Sequence, residues 1–327
     1  MNIVLNLLET TVTNQHNENK QLPKLIVILG QTASGKTDWS LHLAKKFNGE
    51  IISADSRQIF KKMNIGTAKT PGEWRWGGFK KAYYVNDIAH YLIDFLDPGK
   101  YFTSAEFHDQ SIKYAKLIHK KNKIPFVVGG TGLYIQALVD NFKMPRIAPN
   151  KKLRRSFEEK SVEELLELLK QIDPISAEII DVKNKRRIIR ALEVSILSGE
   201  PFSSQQKIGE PLFNILQIGI KKEKEELHKN IERRIDEMVK QGIVKEIEGL
   251  LKQSYSWDLP SMSGVGYRQF RDHIEGKESL EKALDKLKKE TKHFAKKQMT
   301  WFKRDQRICW TEKLEDAEKL VKDFLSK

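Results

Sequence analysis

The sequence predicts an α/β fold, a parallel sheet core flanked by helices with a helical insertion, on three observations. Short apolar runs alternate with amphipathic stretches, the pattern of a doubly wound sheet. One such run, Leu25 to Leu29, leads directly into GQTASGKT at Gly30 to Thr37, which has the G-x-x-x-x-G-K-[ST] spacing of a P-loop. From Pro145 strand alternation gives way to charged helical segments. The 327 residues allow about two domains at roughly 100 to 200 residues each. We therefore expect a P-loop NTPase-like core over residues 24–142 and 212–327, an insertion over 143–211, and an extension over 1–23.

The extension has an apolar patch, Ile3 to Leu8, without a basic flank or small-residue cleavage site, and reads as frayed rather than as a signal peptide. Asp38 to Phe47 is helix-compatible and stops at Asn48-Gly49. Ile51 to Ala54 is a short buried strand, whose exit, Asp55-Ser56-Arg57-Gln58, should face the P-loop because loops at the carboxyl ends of parallel strands line the ligand crevice. Tyr91 to Phe95 is a third strand candidate. Thr103 and Glu106 form a capping box that opens a helix to about Lys120. Ile124 to Val128 is another buried strand, followed by Gly129-Gly130-Thr131-Gly132 and a helix from Leu133 to Val139. The insertion carries helical stretches at Lys151 to Lys170, Ile175 to Val182 and Arg186 to Leu197. Phe213 to Ile220 returns to strand, and Lys224 to Gln241 is a helix stopped by Gly242. The last long helix, Ser279 to Arg304, should pack Leu280, Leu284, Leu287, Phe294 and Trp301 on one side and display lysines elsewhere.

The net charge of +14, from 58 Lys and Arg against 44 Asp and Glu, points to a polyanionic partner. Its clustering on the last helix favours nucleic acid over a solvated face. No apolar run approaches the roughly 20 residues that span a bilayer, so no membrane partner is expected. A single cysteine, Cys309, excludes intrachain disulfides and fits a reducing, cytoplasmic setting. The eight histidines show no metal-binding pattern.

Gly30, Gln31, Thr32, Ala33, Ser34, Gly35, Lys36 and Thr37 would cradle a chain of phosphates. The backbone N–H groups point inward, the helix N-terminus adds positive charge, Lys36 reaches oxygens, and Thr37 offers its hydroxyl to Mg2+. Asp55 is a general base, a magnesium ligand or a helix N-cap. Gln58 could pair with an adenine edge or stand exposed. Thr131 could contact phosphate or backbone, while its flanking glycines could serve only close packing. Ser263 to Arg268 offers a flexible turn and an arginine able to grip a diphosphate. In Lys185 to Glu193, Arg186 or Arg187 and Arg190 share a helical face above a core stripe of Ile188, Ile189 and Leu192. That face suits a phosphate track, with a salt bridge to Glu193 as the alternative.

Taken together, these motifs resemble the tRNA dimethylallyltransferases over nearly the whole chain beyond the extension. GQTASGKT resembles the family's GPTASGKT, and DSRQIFKKMNIGTAK its DSxQxYxxMxIGTAK. HYLIDFLDP, VVGGTGLYIQAL, KRRIIRALEV with GEPFS, GVGYRQF and HFAKKQMTWFKR follow in family order. Gln31 replaces the usual Pro, Phe60 the Tyr and Gly264 the Ala, and the segment around Trp74 to Phe79 is longer than usual. The resemblance implies transfer of a dimethylallyl group from dimethylallyl diphosphate to N6 of adenosine 37 of tRNA. It implies Asp55 as base with Thr32 beside it, and Arg268 on the diphosphate. Ser56, Arg57, Gln58, Thr131 and the segment Arg186, Arg187, Ile188, Ile189 and Arg190 would hold the extruded nucleotide and its flanks. A monomer with no obligate protein partner is expected. The loop alone would equally suit a small-molecule kinase or a nucleotide-switched RNA-binding protein.

Overall fold

A computed structural model describes residues 22–77, 80–205 and 207–327. Among them, eight strands form one sheet: β1 (Lys24–Gly30), β2 (Gly49–Ser53), β3 (Glu73–Gly77), β4 (Lys80–Val85), β5 (Ile88–Tyr91), β6 (Ile124–Gly129), β7 (Asn214–Ile220) and β8 (Ile308–Thr311). Their order is β3-β4-β5-β2-β6-β1-β7-β8. From β5 to β8 every neighbouring pair is parallel, while β3 and β4 form an antiparallel hairpin at one edge. A strand between two parallel neighbours is covered on both faces, which is why the β1 run is continuously apolar. Leu25, Val27 and Leu29 enter one core and Ile26 and Ile28 the other.

The core helices are α1 (Lys36–Lys46), α2 (Ser104–Lys120) and α3 (Gly132–Val139). Four more, α4 (Lys151–Glu158), α5 (Val162–Ile172), α6 (Pro174–Ile179) and α7 (Lys185–Ser198), lie in the insertion. The chain then adds α8 (Lys224–Gln241), α9 (Ile243–Lys252), α10 (Arg271–Ile274), α11 (Leu280–Phe302) and α12 (Leu314–Ser326). Phe107, Ala115 and Ile118 of α2 pack on one face of the sheet, and Leu43 of α1 with Ala317 and Val321 of α12 on the other. A separate core joins α8, α9 and α11 to Ile59, Met63, Tyr267 and Phe270. It roofs the carboxyl end of the sheet, where the P-loop lies.

Helices α4, α5 and α7 share their own core around Leu165, Leu169, Ile188 and Leu192. The insertion leaves the sheet through a neck where Lys143 N–H donates to Lys207 O, 2.8 Å, and Gly209 N–H to Asn141 O, 3.1 Å.

Several expectations need correction. The strand expected over Tyr91 to Phe95 lies earlier, as β5, the fifth strand and not the third, and ends at Tyr91, because Leu92 and Asp94 take φ of +58° and +51°, which breaks a strand. The charged stretch over 151–170 is two helices, since Ser161 and Glu164 form a capping box that starts α5 afresh. The next insertion helix ends at Ile179. Phe294 is 40% exposed and lines a cleft instead of the core. The hairpin, β8 and α12 were not anticipated. The expected frayed extension falls almost wholly outside the described residues. No described helix is long and apolar enough to cross a membrane.

Candidate active site

Central β1 delivers Gly30 at the carboxyl edge of the sheet, and the next turn curls back on itself. Ala33 takes φ +61° and Gly35, the cap of α1, φ +91°, a conformation that glycine adopts without cost. The curl folds Lys36 inward, so that its Nζ donates to Gln31 O at 2.5 Å. Burial, reinforced by nearby Arg234 and opposed by Asp55, pulls the Lys36 pKa down to about 7. Arg234 enters from α8 and donates to Thr32 Oγ1, 3.3 Å. Burial lowers its pKa too, against the pull of Glu237, Asp38 and Asp55. Neither cation has an ion-pair partner among the described residues. Ser34 Oγ is buried beside them with no hydrogen-bond partner. Two half-buried cations and a buried, orphaned hydroxyl under a helix N-terminus form a cradle for an anion.

No group of three His, Cys, Asp or Glu residues among the described ones could hold a metal. The half-buried Thr37, at the second position of α1, could still share a cation with phosphate oxygens, the way Mg2+ is commonly held.

Asp55 follows β2 across the crevice. Its Oδ1 accepts from Arg57 N–H, 2.8 Å, and Gln58 N–H, 3.3 Å, which holds a turn; no helix follows before β3, so the expected N-cap role is corrected to that of a turn residue. Both bonds use Oδ1, leaving Oδ2 for other work. Thr131 ties this turn to the GGTG turn: its Oγ1 accepts from Ser56 N–H, 3.0 Å, and donates to Ser56 Oγ, 3.3 Å. Gln58 Nε2 donates to the carbonyls of Thr67 and Ala68, 3.3 and 3.2 Å, so that nitrogen is committed to the fold. Arg57 turns inward to Pro260 O, 2.5 Å, and lies against Gly264, where a Cβ would come within 3.0 Å of its Nε.

The cleft between these elements has a volume of about 450 Å³. Thr32 and Asp55 face it from the sheet, Arg234 from α8, Arg268 from the GVGYR turn, and Phe294 and Trp301 from α11. Arg268 is half-exposed and bridges to Glu290 through its Nε, 3.2 Å, and Nη2. It can reach a ligand only by leaving or sharing that carboxylate.

Three contributors escaped the sequence reading. Gln298 of α11, buried, accepts from Thr32 N–H, 2.7 Å, and donates to Gly130 O, 2.9 Å, pinning the P-loop to the GGTG turn. Arg234 supplies the second cation. Glu246 of α9 accepts from the backbone N–H groups of Asn64, Ile65 and Gly66 and from Tyr267 OH, holding the loop whose Gly66, Thr67 and Ala68 line the cleft. Gly266, at φ +110°, packs so closely that a Cβ would fall 2.2 Å from Gly66 O.

The insertion arginines are not in the cleft. Arg190 Nη1 bridges to buried Glu193, 2.6 Å, and its Nη2 donates to Ile147 O, 2.9 Å, so the salt-bridge alternative holds for it. Burial raises the Glu193 pKa, but Arg154 and Arg190 more than offset this and hold it below the usual carboxylate range. Ile188 and Ile189 are buried in the insertion core, so direct contact with a partner is corrected to a supporting role. Arg186 and Arg187 are exposed. On α11, Lys286, Lys288 and Lys292 pair with carboxylates, while Lys289, Lys296 and Lys297, and Lys303 at its C-terminal cap, are exposed.

The sequence profile of the IPP transferase family matches residues 58–305. A tRNA dimethylallyltransferase of Acetivibrio thermocellus is 40% identical over 312 residues, 93% of this chain and 96% of that one. The crystal structure of a tRNA isopentenylpyrophosphate transferase from Bacillus halodurans aligns with a TM-score of 0.66 at 33% identity, over 93% of this chain and 95% of the other. A eukaryotic dimethylallyltransferase, captured in crystallographic snapshots acting on tRNA, aligns with a TM-score of 0.74 at 27% identity, over 93% and 80%.

Proposed function

The chain belongs to the IPP transferase family, and from that premise and the geometry of the cleft we propose how it acts. The protein transfers a dimethylallyl group to tRNA. We take the donor to be dimethylallyl diphosphate and the acceptor to be N6 of the adenosine at position 37, beside the anticodon. One observation carries this assignment: Arg234 and the carboxylate of Asp55 line a single cleft with Thr32 and Arg268, and Lys36 of the P-loop lies near enough to feel the charges of both Arg234 and Asp55.

The exocyclic amine of adenine is a poor nucleophile because its lone pair is delocalised into the ring. A carboxylate that removes its proton as the new bond forms lowers the barrier. Asp55 takes that part: Oδ1 is fixed by Arg57 and Gln58 N–H groups, and Oδ2 accepts the N6 proton. The N6–C1 bond forms, the C1–O bond to diphosphate breaks, and its electron pair leaves with the diphosphate. Lys36, Arg234, Ser34 Oγ and the P-loop N–H groups receive the departing charge, with Thr32 oriented by Arg234 and Gln298. Arg268 joins them by sharing its Glu290 contact. Thr37 would be the residue to hold a magnesium ion, whose charge would further neutralise the leaving group.

The adenosine must leave its stack, which costs a few kcal/mol, less in a loop than in a duplex. Ser56 and Thr131 stand where the extruded nucleotide would enter, and residues 143–211, with exposed Arg186 and Arg187, would grip the stem-loop. We take the active form to be a monomer, working in the cytoplasm where its substrate resides.

The test incubates purified protein with dimethylallyl diphosphate, magnesium and either unmodified tRNA or AMP. A prenylated nucleoside formed only with tRNA supports the reading. Product from AMP alone, or ATP hydrolysis without prenyl transfer, overturns it.

A further inference from the structure

We propose that the β3–β4 hairpin is a second docking surface for the RNA substrate, with the Trp76 indole as a stacking platform for a nucleobase beside the reactive one and Lys81 as its phosphate partner; this rests on the tRNA reading above. The hairpin falls in the segment whose length sets this chain apart from the family pattern, so the cleft residues do not account for it.

The sheet register fixes where the hairpin points. Ile51 of β2, His90 of β5 and Tyr83 of β4 stand at one level, and Ile52 and Tyr91 at the next. Lys81, two residues beyond Tyr83, and its cross-strand partner Trp76 therefore reach the level of Ser53, just short of Asp55. The hairpin projects from the carboxyl end of the sheet, the same end as the P-loop. It stands three strand spacings from β2, about 14 Å at roughly 4.8 Å each. A neighbour of the nucleotide held at Asp55 can span that distance.

The surface is built rather than incidental. Trp76 is 70% exposed, and Lys81 Nζ lies 5.3 Å from its ring centroid. Trp74, on the same face, meets Tyr83 edge-on at 5.9 Å, and its Nε1 donates to Asp94 Oδ2 at 3.0 Å. Asp94 in turn binds Lys69 Nζ, 2.7 Å, and gives its backbone N–H to Gln58 O, 2.9 Å. The hairpin is thus anchored through one carboxylate to the turn that carries Asp55. Arg75 is neutralised by Glu73 and Asp87, whereas Lys81 has no described carboxylate partner. An exposed indole beside an unpaired cation suits a base with its phosphate, since stacking is indifferent to base identity and the lysine adds counterion release.

The experiment measures tRNA binding and steady-state prenyl transfer for the wild type, Trp76→Ala, Trp76→Phe and Lys81→Gln. Trp76→Ala should weaken tRNA binding and raise KM for tRNA about tenfold, with kcat and KM for dimethylallyl diphosphate unchanged. Trp76→Phe should restore most of the loss, and Lys81→Gln should reduce the salt slope of binding by about one. tRNA binding indifferent to all three substitutions overturns the proposal whether or not transfer occurs. So does a Trp76-dependent dimer in sedimentation, which would assign the edge to a second copy. A wild-type protein that binds tRNA through Trp76 yet transfers nothing refutes the catalytic reading alone.

Discussion

Asp55 is asked to do two jobs, and its two oxygens allow them to be separated. Asp55→Asn keeps an acceptor at Oδ1 for Arg57 and Gln58 N–H, 2.8 and 3.3 Å, but removes the basic oxygen. Asp55→Ala removes both. Loss of these turn bonds should cost about 1 kcal/mol of stability, the net worth of a typical hydrogen bond. Loss of the base should cost about 10²- to 10⁴-fold in rate, or roughly 3 to 5 kcal/mol of transition-state stabilisation. The Asn variant should therefore fall by that factor in single-turnover transfer while its urea midpoint stays near wild type. The Ala variant should show the same rate loss plus a lower midpoint, and tRNA affinity should be nearly intact in both. An Asn variant of wild-type rate would refute the base assignment. A rate loss in the Ala variant alone would reduce Asp55 to a turn residue.

Other expectations follow from buried or paired charges. His90, 6% exposed in β5, has its pKa lowered by burial from 6.5 to about 4, so the unfolded chain binds a proton that the folded one refuses; stability is intact above the unfolded pKa and falls by about 2 kcal/mol between pH 7 and pH 5. Chemical denaturation across that range should show the slope in the wild type and lose it in His90→Gln. Arg234→Leu should weaken binding of inorganic diphosphate roughly ten- to a hundredfold by calorimetry, the worth of one charge-assisted hydrogen bond. Neutralising Lys296, Lys297 and Lys303 together should flatten the salt dependence of tRNA binding by about 0.7 to 0.9 for each phosphate no longer neutralised, and the same change at the ion-paired Lys286, Lys288 and Lys292 should do less.

What the sequence made legible was local chemistry. The P-loop was readable because its function lies in the backbone path between one strand and one helix. Asp55 was readable because a parallel sheet brings its carboxyl-end loops together. Arg190 and Glu193 were readable as a pair at helical spacing, and that pairing is what Arg190 makes. Arg234 and Gln298 were not readable. They reach Thr32 from 202 and 266 residues away, on helices whose polar faces look solvated until α8 and α11 fold over the sheet. The hairpin was hidden for another reason: its aromatic residues alternate with charges and glycines, and Ile88 to His90 of β5, with which β4 pairs, precede the apolar run that reads as the strand.

The same electrostatics couple the two halves of the reaction. The negative charge of Asp55 supports both half-buried cations, raising the pKa of Lys36 and of Arg234 against desolvation. When Asp55 accepts the N6 proton that support disappears just as negative charge builds on the leaving diphosphate. The diphosphate then becomes the principal counter-charge for Lys36 and Arg234, so proton transfer and bond cleavage reinforce one another. Release of diphosphate is favoured again once Asp55 gives up its proton. Asp55→Asn imitates the protonated state permanently, so it should bind inorganic diphosphate more tightly than the wild type even though it no longer transfers. Across a crevice of this kind the gain should be on the order of 1 kcal/mol, about fivefold in Kd by calorimetry, and it should shrink in Arg234→Leu. Equal or weaker binding by the Asn variant would mean that Asp55 and the cradle act independently.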